Sequence, residues 1–198
     1  MQSQTDNAYI FSQQHTYGIL LSGGIDSAIL LYLLIKVNPN IQIQPFTIAK
    51  TDGAYLYADP IIAHFNKKFN LMIPQTIVVG DPTVYHRLQS TTAVREIFEK
   101  YPVDYLYIGL NQNPPELANL PGAPVRDTKS TNPQIILPFV DLYKHNILEF
   151  MYADNQEDLI DITHSCTEQS VGRCNQCWQC TERAWAFEKL NKIDTGTL

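Results

Sequence analysis

The sequence predicts an α/β fold with a Rossmann-like parallel sheet and a small metal-binding module at its C-terminal end. Three observations carry that prediction. Short apolar runs alternate with segments of helical period, the pattern of βαβ units with right-handed crossovers. The first apolar run ends in Ser22-Gly23-Gly24-Ile25-Asp26-Ser27. All four cysteines of the 198-residue chain fall between Cys166 and Cys180.

The elements follow in order. Tyr17 to Leu21 reads as a buried strand running into a loop. Asp26 to Val37 reads as a helix, with Ile29, Leu30, Leu33, Leu34 and Val37 on one apolar face. Asn38, Pro39 and Asn40 stop it. Ile41 to Ala49 is a second strand. Ala54 to Phe69 is helical, with Pro60 in its first turns or breaking it. Leu71 to Val79 is a third strand. Thr91 to Tyr101 is helical, capped by Ser90 or Thr91. Val103 to Leu110 is a fourth strand, and residues 111–132 form a long loop rich in Pro, Asn and Gly. Such a loop is either functional or a plain surface excursion. Ile135 to Leu137 is a fifth strand, Asp141 caps a helix reaching about Tyr152, and Thr181 to Leu190 closes the chain as a helix. The expected division is 1–153 for the nucleotide-type domain and 154–198 for the cysteine module.

Composition narrows the function. A net charge of −6 runs against a protein that lives on nucleic acid, because phosphate contacts need Lys and Arg. No apolar stretch is long enough to span a bilayer. The first residues are polar, with neither a basic start nor an apolar core, so the cytosol is the expected compartment and no membrane partner is expected.

In a parallel sheet, ligands bind at the carboxyl ends of the strands, so the first strand-to-helix loop is the natural site. Gly23 and Gly24 remove Cβ atoms where the chain turns and let backbone N–H groups converge on an anion. Ser22 and Ser27 add hydroxyls, and the following helix adds its unpaired N–H groups and positive dipole end. The loop lacks the Gly-Lys-Ser/Thr ending of a Walker loop and the second Gly step of the dinucleotide fingerprint. Asp26 beside a phosphate calls for a divalent cation between them, which points to Mg²⁺.

Ser-Gly-Gly-x-Asp-Ser after an apolar strand resembles the PP-loop of the N-type ATP pyrophosphatases, whose fold is adenine nucleotide alpha hydrolase-like. The resemblance implies ATP cleaved between its α and β phosphates, with a substrate oxygen attacking the α-phosphorus. It implies nucleotide contacts by Leu21, Ser22, Gly23, Gly24, Ile25, Asp26 and Ser27.

Cys166, Cys174, Cys177 and Cys180 suit a tetrahedral Zn²⁺ site with four protein ligands and no open position. An iron–sulfur cluster uses the same spacing. A disulfide pattern does not fit the expected compartment. His164 is a conceivable substitute ligand, but with four thiolates present it is expected to point elsewhere. With Arg183 and Phe187 after them, the cysteines resemble the C-terminal zinc module of the 7-cyano-7-deazaguanine synthases. Pro138-Phe139-Val140-Asp141, then Lys144 and Ile147, is similar to the stretch before that module. Ile108-Gly109-Leu110-Asn111 echoes the family's Gly-x-Asn.

This second resemblance implies an ATP-dependent ligase of the queuosine pathway. It turns 7-carboxy-7-deazaguanine and ammonia into the nitrile through an amide, and its members are often homodimers. It implies catalytic roles for Asp26, Ser27 and Lys144, nucleotide contacts by Gly109 and Asn111, and ATP, Mg²⁺ and Zn²⁺ as cofactors. The family's Gly-Tyr-Pro-Asp-Cys-Arg-Pro-Glu-Phe-like recognition segment has no counterpart in residues 111–126. The acid is therefore left open: the deazapurine, another small-molecule carboxylate, or a protein terminus. Competing readings are a tRNA-thiolating PP-loop enzyme, a sulfonucleotide reductase lacking its C-terminal cysteine, and a zinc-stabilised nucleotide-binding module without activity. Lys144 and Arg183 are candidate phosphate or carboxylate contacts, weighed against a solvated helix face. Trp178 is expected over the cysteine knuckle or facing a partner, the tyrosines in packing, and His15, His64, His86 and His145 at the surface or behind the residues of a site.

Overall fold

The computed structural model describes residues 15–50, 52–126 and 129–196. Its centre is a five-stranded parallel sheet in the order β3-β2-β1-β4-β5. The strands are β1 (Tyr17–Leu20), β2 (Ile43–Ile48), β3 (Ile77–Val79), β4 (Tyr105–Ile108) and β5 (Ile135–Ile136). Tyr17 stands level with both Ile43 and Tyr105, so the carboxyl ends of β1, β2 and β4 form one edge. The chain leaves β1 in one direction to build β2 and β3, then crosses back to place β4 on the other side. That reversal opens a crevice between the carboxyl ends of β1 and β4, where such sheets bind ligands.

Among the described residues six helices flank the sheet: α1 (Ile25–Val37), α2 (Ala58–Phe69), α3 (His86–Lys100), α4 (Lys144–Ala153), α5 (Leu159–Ile162) and α6 (Trp178–Lys189). One sheet face, through Tyr17, Ile19, Ile43 and Tyr107, shares a core with α1, α2, α4, α5 and α6. The other, through Phe46, Ile48 and Leu106, packs on Ala93 and Ile97 of α3. The period-two alternation of strand side chains makes the two cores separate. Leu159, Ile160, Ala186 and Phe187, from beyond residue 153, lie in the larger core with β1 and α1. No helix among the described residues is long and apolar enough to cross a membrane.

Several boundaries differ from expectation, each for a local reason. Ten of the 13 residues of α1 are buried, on every side of the helix rather than one face, while Val37 is exposed. The sheet covers one side of α1 and α4 and α5 cover another. The expected third strand shrinks to Ile77–Val79. Upstream, Asn66 pairs with both backbone groups of Ile73, and Asp59 takes the Thr76 N–H at 2.8 Å, so side chains consume the groups a strand would pair. Helix α3 begins at His86 rather than Thr91, because Gln89 Nε2 donates to the carbonyls of Pro82 and Val84 and pins an earlier first turn. Ser90 and Thr91 are therefore interior to the helix, not caps.

Asp141 does not cap α4. Tyr143 holds that position, and the Asn146 side chain accepts from its N–H at 3.2 Å. Residues 54–57 form a 3-10 turn that leads into α2, with Pro60 in the first turn of α2, where its missing N–H costs nothing. The closing helix starts at Trp178, three residues before Thr181, and the single-turn α5 had no sequence signature.

Candidate active site

The loop after β1 is tied to itself. Ser27 Oγ donates to the Gly24 carbonyl at 3.0 Å and accepts from the Ser22 N–H at 3.2 Å. The Ser22 hydroxyl lies 3.2 Å from Ser27 Oγ and accepts from the Gly24 N–H at 3.3 Å. The two serines thus shape the turn from inside. Gly23 sits at φ +85°, and a Cβ there would meet the Ala54 carbonyl at 1.9 Å. Gly24 is the N-cap of α1 without a side-chain cap bond, so the first-turn N–H groups keep their free direction toward the sheet edge. Gly109 lies against the first turn of α1. A Cβ there would approach the Asp26 carbonyl and the Ser27 N–H at 3.3 Å, so its bareness lets β4 close on the loop.

A cavity of about 230 Å³ opens at this edge, lined among others by Ser22, Gly24, Ile25, Asp26, Lys50, Arg126, Lys144 and Glu182. Lys144, from the first turn of α4, bonds Asp26 Oδ2 and lies 3.4 Å from Glu182 Oε2. It is buried, so the solvated-face alternative for it is excluded. Glu182, on α6, also takes a two-pronged contact from Arg126, at 2.6 and 2.9 Å, and the Asn111 amide at 3.3 Å. Burial pushes the Glu182 carboxyl up. The charge of Lys144, the Arg126 hydrogen bond and charge, and the Asn111 amide outweigh it and hold Glu182 below its ordinary value, so it is ionised. The Arg126 guanidinium lies 4.8 Å from the Trp178 ring centroid.

Of the residues expected at the nucleotide, Ser22, Gly24, Ile25, Asp26 and Lys144 line the cavity. Leu21 and Ser27 are buried behind the loop, Gly23 and Gly109 set backbone approach, and Asn111 reaches the cavity only through Glu182. Arg183 is a correction. It is wholly buried away from the cavity, bonded to Asp194 at 2.8 and 3.0 Å and to the carbonyls of Thr163 and Ile160. Trp178 is buried and donates its indole N–H to the Leu117 carbonyl, so it packs under the 111–132 loop. The side chain of His86 is outside the described residues.

Sequence reasoning missed Glu182 and Arg126. A signal existed for each: Glu182 is an acidic residue four positions after Trp178 and four before Ala186, on the buried stripe of α6, and Arg126 is the one basic residue in the 111–126 stretch.

Beside the cavity, Cys166, Cys174, Cys177 and Cys180 bring their Sγ atoms within 4.8 Å of one another. Backbone N–H groups aim at the sulfurs: Cys174 N–H at Cys166, those of Gln176 and Cys177 at Cys174, and Cys180 N–H at Cys177. Such N–H groups stabilise thiolates. Burial pushes the Cys177 thiol up, but hydrogen bonds from Thr167 and Cys180 outweigh it and bring it to about 6. Burial and the neighbouring thiols push Cys180 up. Zn–S bonds of about 2.3 Å in a tetrahedron place sulfurs about 3.8 Å apart. The cluster therefore fits a single metal ion. His164 is not a ligand here. Its Nε2 faces the carbonyls of Cys166 and Gln169, its ring stacks on Tyr57, and its backbone N–H donates to the Gly23 carbonyl at 2.9 Å.

A glycine loop at the switch point of a parallel sheet, with a carboxylate in the first turn of its helix, has the geometry of an anion-binding site in an α/β protein. The family model described as "Queuosine biosynthesis protein QueC" matches residues 110–191, from the end of β4 through α6 and across the 111–132 loop. That stretch, under half of the chain, is similar to the QueC family. No curated protein matches the chain significantly. Among solved structures, it is similar to U34-tRNA thiolase NcsA from Methanococcus maripaludis with its 4Fe–4S cluster. The identity is 18% and the TM-score 0.44, over 76% of this chain and 61% of that one. The chain thus spans less than two thirds of that protein.

Proposed function

We propose that this protein is an ATP-dependent ligase that adenylates a small-molecule carboxylate and passes it to ammonia, with 7-carboxy-7-deazaguanine as the first acid to test. The observation that carries this reading is Asp26. Its Oδ1 is buried and has no hydrogen-bond partner, while Lys144 holds its other oxygen at the mouth of the glycine loop. A half-buried, half-unsatisfied carboxylate beside a helix N-terminus suits a cation shared with a polyphosphate. Mg²⁺ bound there would supply charge neutralisation for the departing pyrophosphate.

The chain's own groups do the rest. First-turn N–H groups of α1 hold the β and γ phosphates. Lys144 is placed to meet charge developing on the phosphates. A substrate carboxylate oxygen attacks the α-phosphorus, the bond to the β-phosphate bridging oxygen breaks, and pyrophosphate leaves. Ammonia then attacks the acyl carbon and AMP departs with the former carboxylate oxygen, leaving an amide. If the amide oxygen is adenylated in a second round, loss of AMP yields the nitrile. Positioning, rather than a dedicated general base, supplies the catalysis.

For the knuckle we propose Zn²⁺. The sulfur spacing supports one ion, because the thiolates of a cubane cluster each bind a different iron and stand further apart. All four cysteines of the chain are then ligands, so no free thiol is left for sulfur transfer.

The test incubates the protein with ATP, Mg²⁺, ammonia and 7-carboxy-7-deazaguanine and reads products by mass spectrometry. AMP with the nitrile supports the full reading, and AMP with the amide alone marks a single-step ligase. AMP formation only with tRNA and a sulfur donor, in protein containing iron and sulfide, would transfer the site to tRNA thiolation.

A further inference from the structure

Lys144 is shared between two carboxylates from distant parts of the chain. Asp26 belongs to the glycine loop and Glu182 to the helix that follows the cysteine knuckle. The second carboxylate is itself shared, since Arg126 binds both its oxygens from the end of the long loop. The four charges sum to zero in a nearly dry place: the Glu182 and Lys144 side chains are 1% and 6% exposed. In such a setting a cation's position follows the balance of its partners.

Resting on the function proposed above, we infer that Glu182 is a positioning residue for the loop carboxylate. Glu182 draws part of the Lys144 charge away from Asp26, and Arg126 sets how much Glu182 can draw. The affinity of Asp26 for a cation bound with nucleotide is thereby set by residues that act on Asp26 only through Lys144. Removing the Glu182 charge leaves Lys144 wholly on Asp26, where it competes with the incoming cation. Removing the Arg126 charge does the opposite, because Glu182 then holds Lys144 more strongly. The same contacts link Arg126 to the glycine loop through two side chains, Glu182 and Lys144.

The two variants therefore shift in opposite directions, which a merely structural role does not produce. Binding of α,β-methylene ATP, which cannot be cleaved at the reactive bond, is followed by calorimetry over a range of Mg²⁺ concentrations. Glu182→Gln is expected to raise the Mg²⁺ concentration for half-maximal binding by roughly fivefold, and Arg126→Met to lower it by a similar factor. Glu182→Asp should fall between wild type and Glu182→Gln. In a Lys144→Met background both shifts should collapse, because the balance runs through that lysine. Shifts of the same sign, no shift, or shifts that persist without Lys144 overturn the inference. If Glu182→Gln does not fold, Arg126→Met and its Lys144→Met double variant carry the test alone. If the wild-type protein binds the analogue with no dependence on Mg²⁺, the proposed function falls and this inference with it.

Discussion

Lys144 crosses 118 residues of sequence to bond the Asp26 carboxylate at the mouth of the glycine loop. The contact joins the start of α4 to the first turn of α1 and leaves Asp26 Oδ1 for another partner. Replacing Asp26 by Ala should abolish AMP formation while circular dichroism and melting behaviour stay near wild type, since the core around α1 does not use this side chain. Lys144→Met should lower kcat for AMP release by about 100-fold or more, the usual loss when one preorganised charge is removed from a reacting phosphate or carbonyl. Turnover within a factor of two in either variant would remove the site from this edge of the sheet.

The two glycines of the loop should respond differently to the same change. At Gly23 the backbone is left-handed and a Cβ would overlap the Ala54 carbonyl. Gly23→Ala should cost about 2 kcal/mol or more and destroy nucleotide binding. At Gly24 the backbone is extended, and an added Cβ meets the Ser22 hydroxyl at 3.4 Å, an ordinary contact. Gly24→Ala should fold within about 1 kcal/mol of wild type. Thermal melts of both variants, paired with calorimetric ATP titrations, separate the outcomes.

These contrasts show which parts of the molecule the sequence exposes. A strand followed by Ser-Gly-Gly-x-Asp-Ser is legible because glycine and the helix start are both local requirements, and the cysteine knuckle is legible because its ligands lie close in sequence. Helix starts at His86 and Lys144 were not, since Gln89 and Asn146 decide them through hydrogen bonds that have no strong composition signal. Arg183 follows the knuckle at the spacing of a functional residue, yet it spends its donors on Asp194 and four backbone or hydroxyl oxygens. Glu182, one position earlier, faces the cavity instead. One step along a helix turns a side chain by about 100°, and only the packing of α6 tells which of the pair meets the site.

Metal content offers a direct check on the knuckle. Purified protein should contain one equivalent of zinc, with iron and acid-labile sulfide near zero. Cys177→Ser should lose most of that metal and melt at a lower temperature, because ligand binding energy is folding energy in a site of this kind. A strong chelator should reproduce the drop in the wild-type protein and leave the variant little changed. A variant that keeps full zinc would remove Cys177 from the ligand set.

Asp194 gives the fold a pH dependence with a definite sign. Burial pushes its carboxyl up, but the hydrogen bonds and charges of Arg183 and Arg173 outweigh that and hold it below the ordinary aspartate value. A carboxylate lowered in the folded state binds its proton more readily when unfolded. Its contribution is therefore complete above the unfolded value, near 4, and is lost as pH falls through the folded one. The pair matters because Arg183 is wholly buried and Asp194 is its only carboxylate partner among the described residues. Asp194→Asn should destabilise the protein by on the order of 3 kcal/mol at pH 7, leaving the guanidinium with carbonyl and hydroxyl partners alone. Melting temperatures measured from pH 7 down to pH 3 should show the gap between wild type and variant narrowing only below about pH 4. A constant gap across that range would mean that Asp194 acts through shape and hydrogen bonding rather than through its charge.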